Sequence, residues 1–109
     1  MLKPLFGSKS SEKVLIFIEA FGEGYAREIS RFFGMALDPI QKRMDKLELG
    51  GILVSFMKGR TRIYMFNPRY PFLKELKAML DKAITFYPEE EQERLLMNRR
   101  RPRRRGKSL

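Results

Sequence analysis

Through the first half of the chain the apolar positions recur with the period of a helix, and after it the period drops to two. Ser8-Lys9-Ser10-Ser11-Glu12 offers several N-cap candidates ahead of Val14, Leu15, Phe17, Ile18 and Phe21, and Gly22 and Gly24 follow. This predicts a first helix over about residues 10–21. Tyr25 to Phe33 predicts a second, short helix with Ile29, Phe32 and Phe33 inward and Arg27, Glu28 and Arg31 outward. Gly34 stands where a left-handed residue joins two helices. Asp38-Pro39 fits the N-cap and first position of a third helix, which Gly50-Gly51 stops. Ile40, Met44 and Leu47 form its buried stripe and leave Gln41, Lys42, Asp45 and Lys46 on the outer face.

Two segments rich in β-branched and aromatic residues come next, Ile52 to Met57 and Thr61 to Phe66. They flank Lys58-Gly59-Arg60, so a hairpin with a basic tip is predicted. Asn67 to Pro71 reads as a loop, with Pro71 in the first turn of a fourth helix. That helix carries Leu73, Leu76, Leu80, Ala83, Ile84 and Tyr87, a stripe long enough to need a partner surface, and Pro88 breaks it. Leu73, Leu76, Leu80 and Ile84 are the candidates for a dimer seam. Glu89 to about Asn98 fits a further short helix, with acids at its start and Arg94 near its end. Phe17, Phe21, Phe32, Phe33, Phe56, Tyr64 and Phe66 fall on inward positions and are read as core. The class is therefore α+β, mainly α: three helices, a β-hairpin wing and a C-terminal helix over residues 5–87, a short helix over 88–98, and a tail over 99–109.

Composition narrows the function. The chain has 109 residues and neither cysteine nor histidine, which removes disulfides, thiolate and imidazole metal sites, cysteine nucleophiles and histidine-based triads. No Asp-x-Asp pair marks a carboxylate metal site, and Gly22-Glu23-Gly24 and Gly50-Gly51 lack the spacing and lysine of a phosphate loop. No enzyme, metal or cofactor is expected. No apolar run approaches the roughly 18 residues that cross a bilayer, and the start is too short and interrupted for a secretory signal. A cytoplasmic protein without a membrane partner is expected.

Net charge is +10, and its location says more than its size. Residues 1–38 sum to zero and residues 70–98 to −2. Residues 39–69 hold Lys42, Arg43, Lys46, Lys58, Arg60, Arg62 and Arg69 against Asp45 and Glu48, giving +5. The tail holds six arginines and Lys107 without an acid, giving +7. Two separate patches thus point to a polyanion. The tail cannot pack and is expected to be disordered. It suits a DNA groove, RNA, another anionic partner, or a merely solubilising role.

Three helices, a hairpin and a further helix is the element order of a winged helix-turn-helix domain. A helix fits the major groove, and its exposed side chains reach base edges there. Gln41, Lys42, Arg43 and Lys46 lie on the third helix, where Gln suits adenine and Lys suits guanine. Lys58, Arg60 and Arg62 on the hairpin suit the flanking backbone or minor groove, and Arg27 a phosphate.

Leu5-Phe6-Gly7-Ser8-Lys9, Tyr25-x-Arg27-Glu28-Ile29-Ser30-Arg31-x-x-Gly34, Lys46-Leu47-Glu48-x-Gly50-Gly51-Ile52-Leu53 and Tyr64-x-x-Asn67-Pro68 carry a resemblance over about residues 5–85. In this order and spacing they resemble the ArsR-type winged helix regulators, above all the branch found beside nucleotidyltransferases. The resemblance implies a homodimer on double-stranded DNA, bound through the third helix and the wing, with the first and last helices often forming the seam. Two departures bear on it. Where that family usually opens the third helix with Ser-Pro, this chain has Ala36-Leu37 and then Asp38-Pro39, so a start half a turn late is expected, with Asp38 opposing phosphate. The family's thiol and imidazole metal-sensing residues are absent, so metal-released repression is not implied. Nucleotidyltransferase activity is not implied either. A sequence-specific transcriptional regulator is thus expected. The alternatives are a nonspecific nucleic-acid binder led by the arginine tail and a winged helix serving as a protein-interaction module.

Overall fold

α2 (Lys9–Phe21) is buried on every side from Val14 to Ala20, and the rest of the chain is wrapped around it. In the computed structural model, which describes residues 2–100 and the side chains to 96, Val14, Leu15, Ile16, Phe17 and Ile18 are all sealed from solvent. Ser8 caps the helix by accepting the Ser11 N–H at 3.0 Å. A short α1 (Lys3–Phe6) precedes it and ends at Gly7, whose φ of +84° suits a residue without Cβ. α3 (Ala26–Phe33) packs Ile29 inward and ends at Gly34, φ +65°. α4 (Leu37–Leu49) buries Ile40 and Met44 and half-buries Leu47, as the spacing predicts.

β1 (Leu53–Lys58) and β2 (Thr61–Phe66) pair antiparallel from Leu53↔Phe66 to Lys58↔Thr61. The two-residue loop between them has Gly59 at φ +64°. Gly24 adds an isolated bridge to β2: it exchanges both backbone hydrogen bonds with Tyr64, at 3.0 and 2.8 Å. α5 (Leu73–Ile84) and α6 (Glu89–Arg100) close the remaining sides of α2. The described residues thus form an α+β unit, mainly helical, with six helices and one hairpin. Among them no helix is long and apolar enough to cross a membrane.

Several boundaries differ from the sequence reading. α4 starts at Leu37, after Ala36, so Asp38 and Pro39 lie within its first turn instead of opening it late. Both are suited there: a carboxylate favours a helix N-terminus, and proline's missing N–H has no partner to lose. Pro71 precedes α5 by two residues. The core also extends beyond residues 5–87. Leu2 and Phe6 pack on it from one end, and Leu95 of α6 is fully buried from the other. Arg94 fixes α6 to α3, donating to the Phe32 carbonyl at 2.7 Å and lying 3.9 Å above the Phe32 ring. Of the expected tail, Arg99 and Arg100 end α6, and residues 101–109 lie outside the described residues.

Candidate nucleic-acid interface

The hairpin is bonded to α4 rather than merely adjacent to it. Tyr64 of β2 is buried, and its hydroxyl donates to Asp45 Oδ1 at 3.0 Å. Gln41, one turn earlier on α4, donates its Nε2 to the same Asp45 oxygen at 3.1 Å and to the Tyr64 hydroxyl at 3.3 Å. Burial pushes the Tyr64 phenol above its ordinary value, and donation to Asp45 pushes the same way. A second chain runs alongside: Ser55 Oγ of β1 donates to Glu48 Oε2 at 2.7 Å, and Arg62 Nη1 donates to Ser55 Oγ at 3.0 Å. Side-chain networks whose members are paired rigidify the elements they join. Here they set the angle between helix and hairpin.

Two open clefts flank α4. One, of about 370 Å³, gathers Arg27 from the start of α3, Gln41 from α4, and Arg60 and Arg62 from the hairpin. The other, of about 380 Å³, lies between α4 and the start of α2 and gathers Lys42, Arg43 and Lys46 with Ser8, Ser10 and Asp38. Seven of the eight sequence-predicted contact residues therefore fall on these two clefts. Lys42 and Lys46 are exposed, while Arg43 and Gln41 are half-buried.

The eighth, Lys58, turns elsewhere. It lines a third recess with Phe21, Glu23 and Ile63 and sits 3.6 Å from Glu23. That ion pair is exposed and contributes little to stability. One further residue differs from the sequence reading, and a second carried no expectation there. Phe56, read as core, is 38% exposed on the hairpin. A two-stranded ribbon that projects from the body has no second layer to cover its outer half. Leu49, which the sequence reading passed over, is 89% exposed at the end of α4.

The expected dimer seam needs correcting. Leu76, Leu80 and Ile84 are buried in the chain's own core, and Leu73 packs against it half-buried. Their stripe meets α2 of the same chain, so it is not available to a second copy. A different apolar set is exposed on α5 and its flanks. Phe72 and Phe86 are 63% and 64% exposed, and Met79 lies midway between them at seven-residue spacing. Met79 and Phe86 share a small apolar groove with Leu2, Lys82 and Ala83. The seven-residue spacing was the signal available in the sequence, masked by the stronger stripe beside it.

Among the described residues no group of three acidic side chains is arranged to hold a metal ion. No protein-family model, curated protein or solved structure matches the chain.

Proposed function

We propose that the chain is a sequence-specific regulator that binds double-stranded DNA through a winged helix domain, as a homodimer. The observation that carries this reading is the pair of cation-lined clefts on either side of one exposed helix, α4. In the major groove a helix has a sugar-phosphate strand on each side, so cations on both flanks match that setting. Arg60 and Arg62 suit the flanking backbone or the minor groove, and Arg27 a phosphate near the start of α3.

The side-chain bonds sharpen the base-reading roles. Both bonds made by Gln41 use its Nε2, which leaves Oε1 to accept from an adenine or cytosine amino group instead of the two-pronged adenine contact. Lys42 and Lys46 are exposed and suit guanine acceptors. Leu49, at the far end of the same helix, suits a thymine methyl. For the second copy, the apolar groove of half-buried Leu2 and Met79 beside exposed Phe86 replaces the stripe read from the sequence.

The test is selection of bound sequences from a random duplex pool, followed by affinity measurements on the enriched site. A pseudo-palindromic site is expected, with a preference that Gln41→Ala combined with Lys42→Ala largely removes. Unchanged affinity and preference in that double variant would overturn the assignment of α4. The +7 tail sustains the second reading, a nonspecific binder. Deleting residues 99–109 separates the two: weaker binding with the preference kept supports the regulator, and complete loss supports the nonspecific binder.

A further inference from the structure

The cleft between α4 and the start of α2 holds more than surface lysines. Helix N-termini leave their first N–H groups without intrahelical partners. In α2 the Ser11 N–H is taken by Ser8 Oγ and the Glu12 N–H by the Ser8 carbonyl, at 3.0 and 3.4 Å. The N–H groups of Lys9 and Ser10 have no acceptor among the described residues. The Ser10 side chain lines the cleft although the residue is only 8% exposed, and its hydroxyl has no hydrogen-bond partner among the described residues. A buried hydroxyl without a partner carries a desolvation cost that a ligand would relieve. Arg43 sits half-buried in the same wall with no carboxylate within ion-pair distance among the described residues, and Lys42 and Lys46 complete it. Every one of these groups donates, and together they suit a compact oxyanion. Asp38, exposed at the same cleft, is the one opposing charge.

We infer that this cleft is a phosphate site, formed by the Ser10 amide and hydroxyl and the Arg43 guanidinium, that holds a backbone phosphate of the bound duplex. The inference rests on the DNA-binding reading and adds to it the anchor on the side of α4 away from the hairpin. The hairpin cleft faces one strand of the groove and this cleft faces the other. Neither α2 nor its cap residues figured among the sequence-predicted contacts.

Full-length protein labelled with ¹⁵N is titrated at constant ionic strength with inorganic phosphate and, separately, with the selected duplex or, failing one, any duplex of similar length. The Ser10 amide signal is expected to move in both titrations. Ser10→Ala, which removes a hydroxyl without a hydrogen-bond partner among the described residues, keeps the fold and lowers duplex affinity about fivefold. Arg43→Gln lowers it about tenfold and reduces the slope of log affinity against log salt by about 1. Asp38→Asn raises it severalfold, while Lys74→Gln on the exposed side of α5 leaves it unchanged. If the amide responds to inorganic phosphate but not to a duplex that does bind, the cleft takes free phosphate and its role as a DNA clamp is overturned. If a duplex binds but Ser10→Ala, Arg43→Gln and Asp38→Asn behave like Lys74→Gln, the site is wrong and the regulator reading stands. If phosphate moves the amide signal and no duplex binds, the anion site stands and the regulator reading falls. Silence in both titrations overturns the site.

Discussion

The hydroxyl of Tyr64 donates to Asp45 across 3.0 Å, joining the second strand of the hairpin to the exposed face of α4. The tyrosine ring is buried, whereas Asp45 is exposed, so the bond runs from the core to the candidate DNA-binding surface. Gln41 bonds to both members, which makes the wing and one candidate base-reading side chain parts of a single unit.

Replacing Tyr64 with Phe keeps the ring and removes this joint. Stability to denaturant is expected to fall by about 1 kcal/mol, the usual net value of one hydrogen bond. The larger effect is expected on DNA: with Gln41 held by Asp45 alone and no longer tied to the hairpin, discrimination between the selected site and a one-base variant narrows. A variant as discriminating as the parent would show that the joint does not position the reading face.

Alkaline stability depends on two phenols. Burial raises Tyr64 and raises Tyr87 far more, and each donates to a carboxylate, Asp45 and Glu12, which adds to the shift. The folded chain therefore holds these protons more tightly than the unfolded chain. Their stabilisation is complete below the ordinary tyrosine value of 10.0 and is lost as pH rises above it. Denaturation midpoints measured from pH 8 to pH 12 should fall steeply above about pH 10, and Tyr87→Phe should flatten that fall.

On the acid side Glu12 has the opposite sense. Burial alone would raise its carboxyl, but the hydrogen bonds from the Tyr87 hydroxyl and the Leu2 N–H outweigh that and hold it below 4.5. Its contribution is present above that value and is lost as pH falls through the depressed one. Glu12→Gln is expected to cost about 1–2 kcal/mol at neutral pH and to lessen the acid dependence below about pH 4.5, measured by urea unfolding. A variant with unchanged acid sensitivity would remove Glu12 from that role.

Gly24 is required by space rather than by backbone conformation. A Cβ there would stand 2.7 Å from Cε1 of Phe17, a sealed ring that stacks on Phe21 at 4.3 Å and has no free side to move toward. Gly24→Ala should cost about 1–3 kcal/mol, the range for overpacking a tight core, and should weaken the bridge to Tyr64. A melting temperature equal to the parent's would contradict this.

Sedimentation tests the second copy. The proposed homodimer is expected to persist at about tens of micromolar, and Phe86→Glu should yield a folded monomer with weaker binding to the selected site. A parent protein that is monomeric there would count against the dimer. Leu80→Ala is not a useful probe, because Leu80 is fully buried and its loss acts on the fold.

What the sequence determined by itself was the local order. Periodicity and caps gave α2, α3 and α4 to within a few residues, and the switch to alternation gave the hairpin with Gly59 in its loop, because these depend on neighbours within one turn or one strand pair. The basic character of residues 39–69 was equally legible. Only the tertiary structure decided which apolar stripe is spent within the chain. Leu76, Leu80 and Ile84 look like a seam until α2 is seen to need covering on every side, and the same need recruits α6, which offers little more than Leu95 and Leu96. Tertiary packing also brought Ser8 and Ser10 to Arg43, more than thirty residues away, and tied Gln41 to Tyr64. A helix period reports that a face is buried, not against what, and a charge count reports a cation, not its partner. Both depend on contacts distant in sequence, which no local pattern encodes.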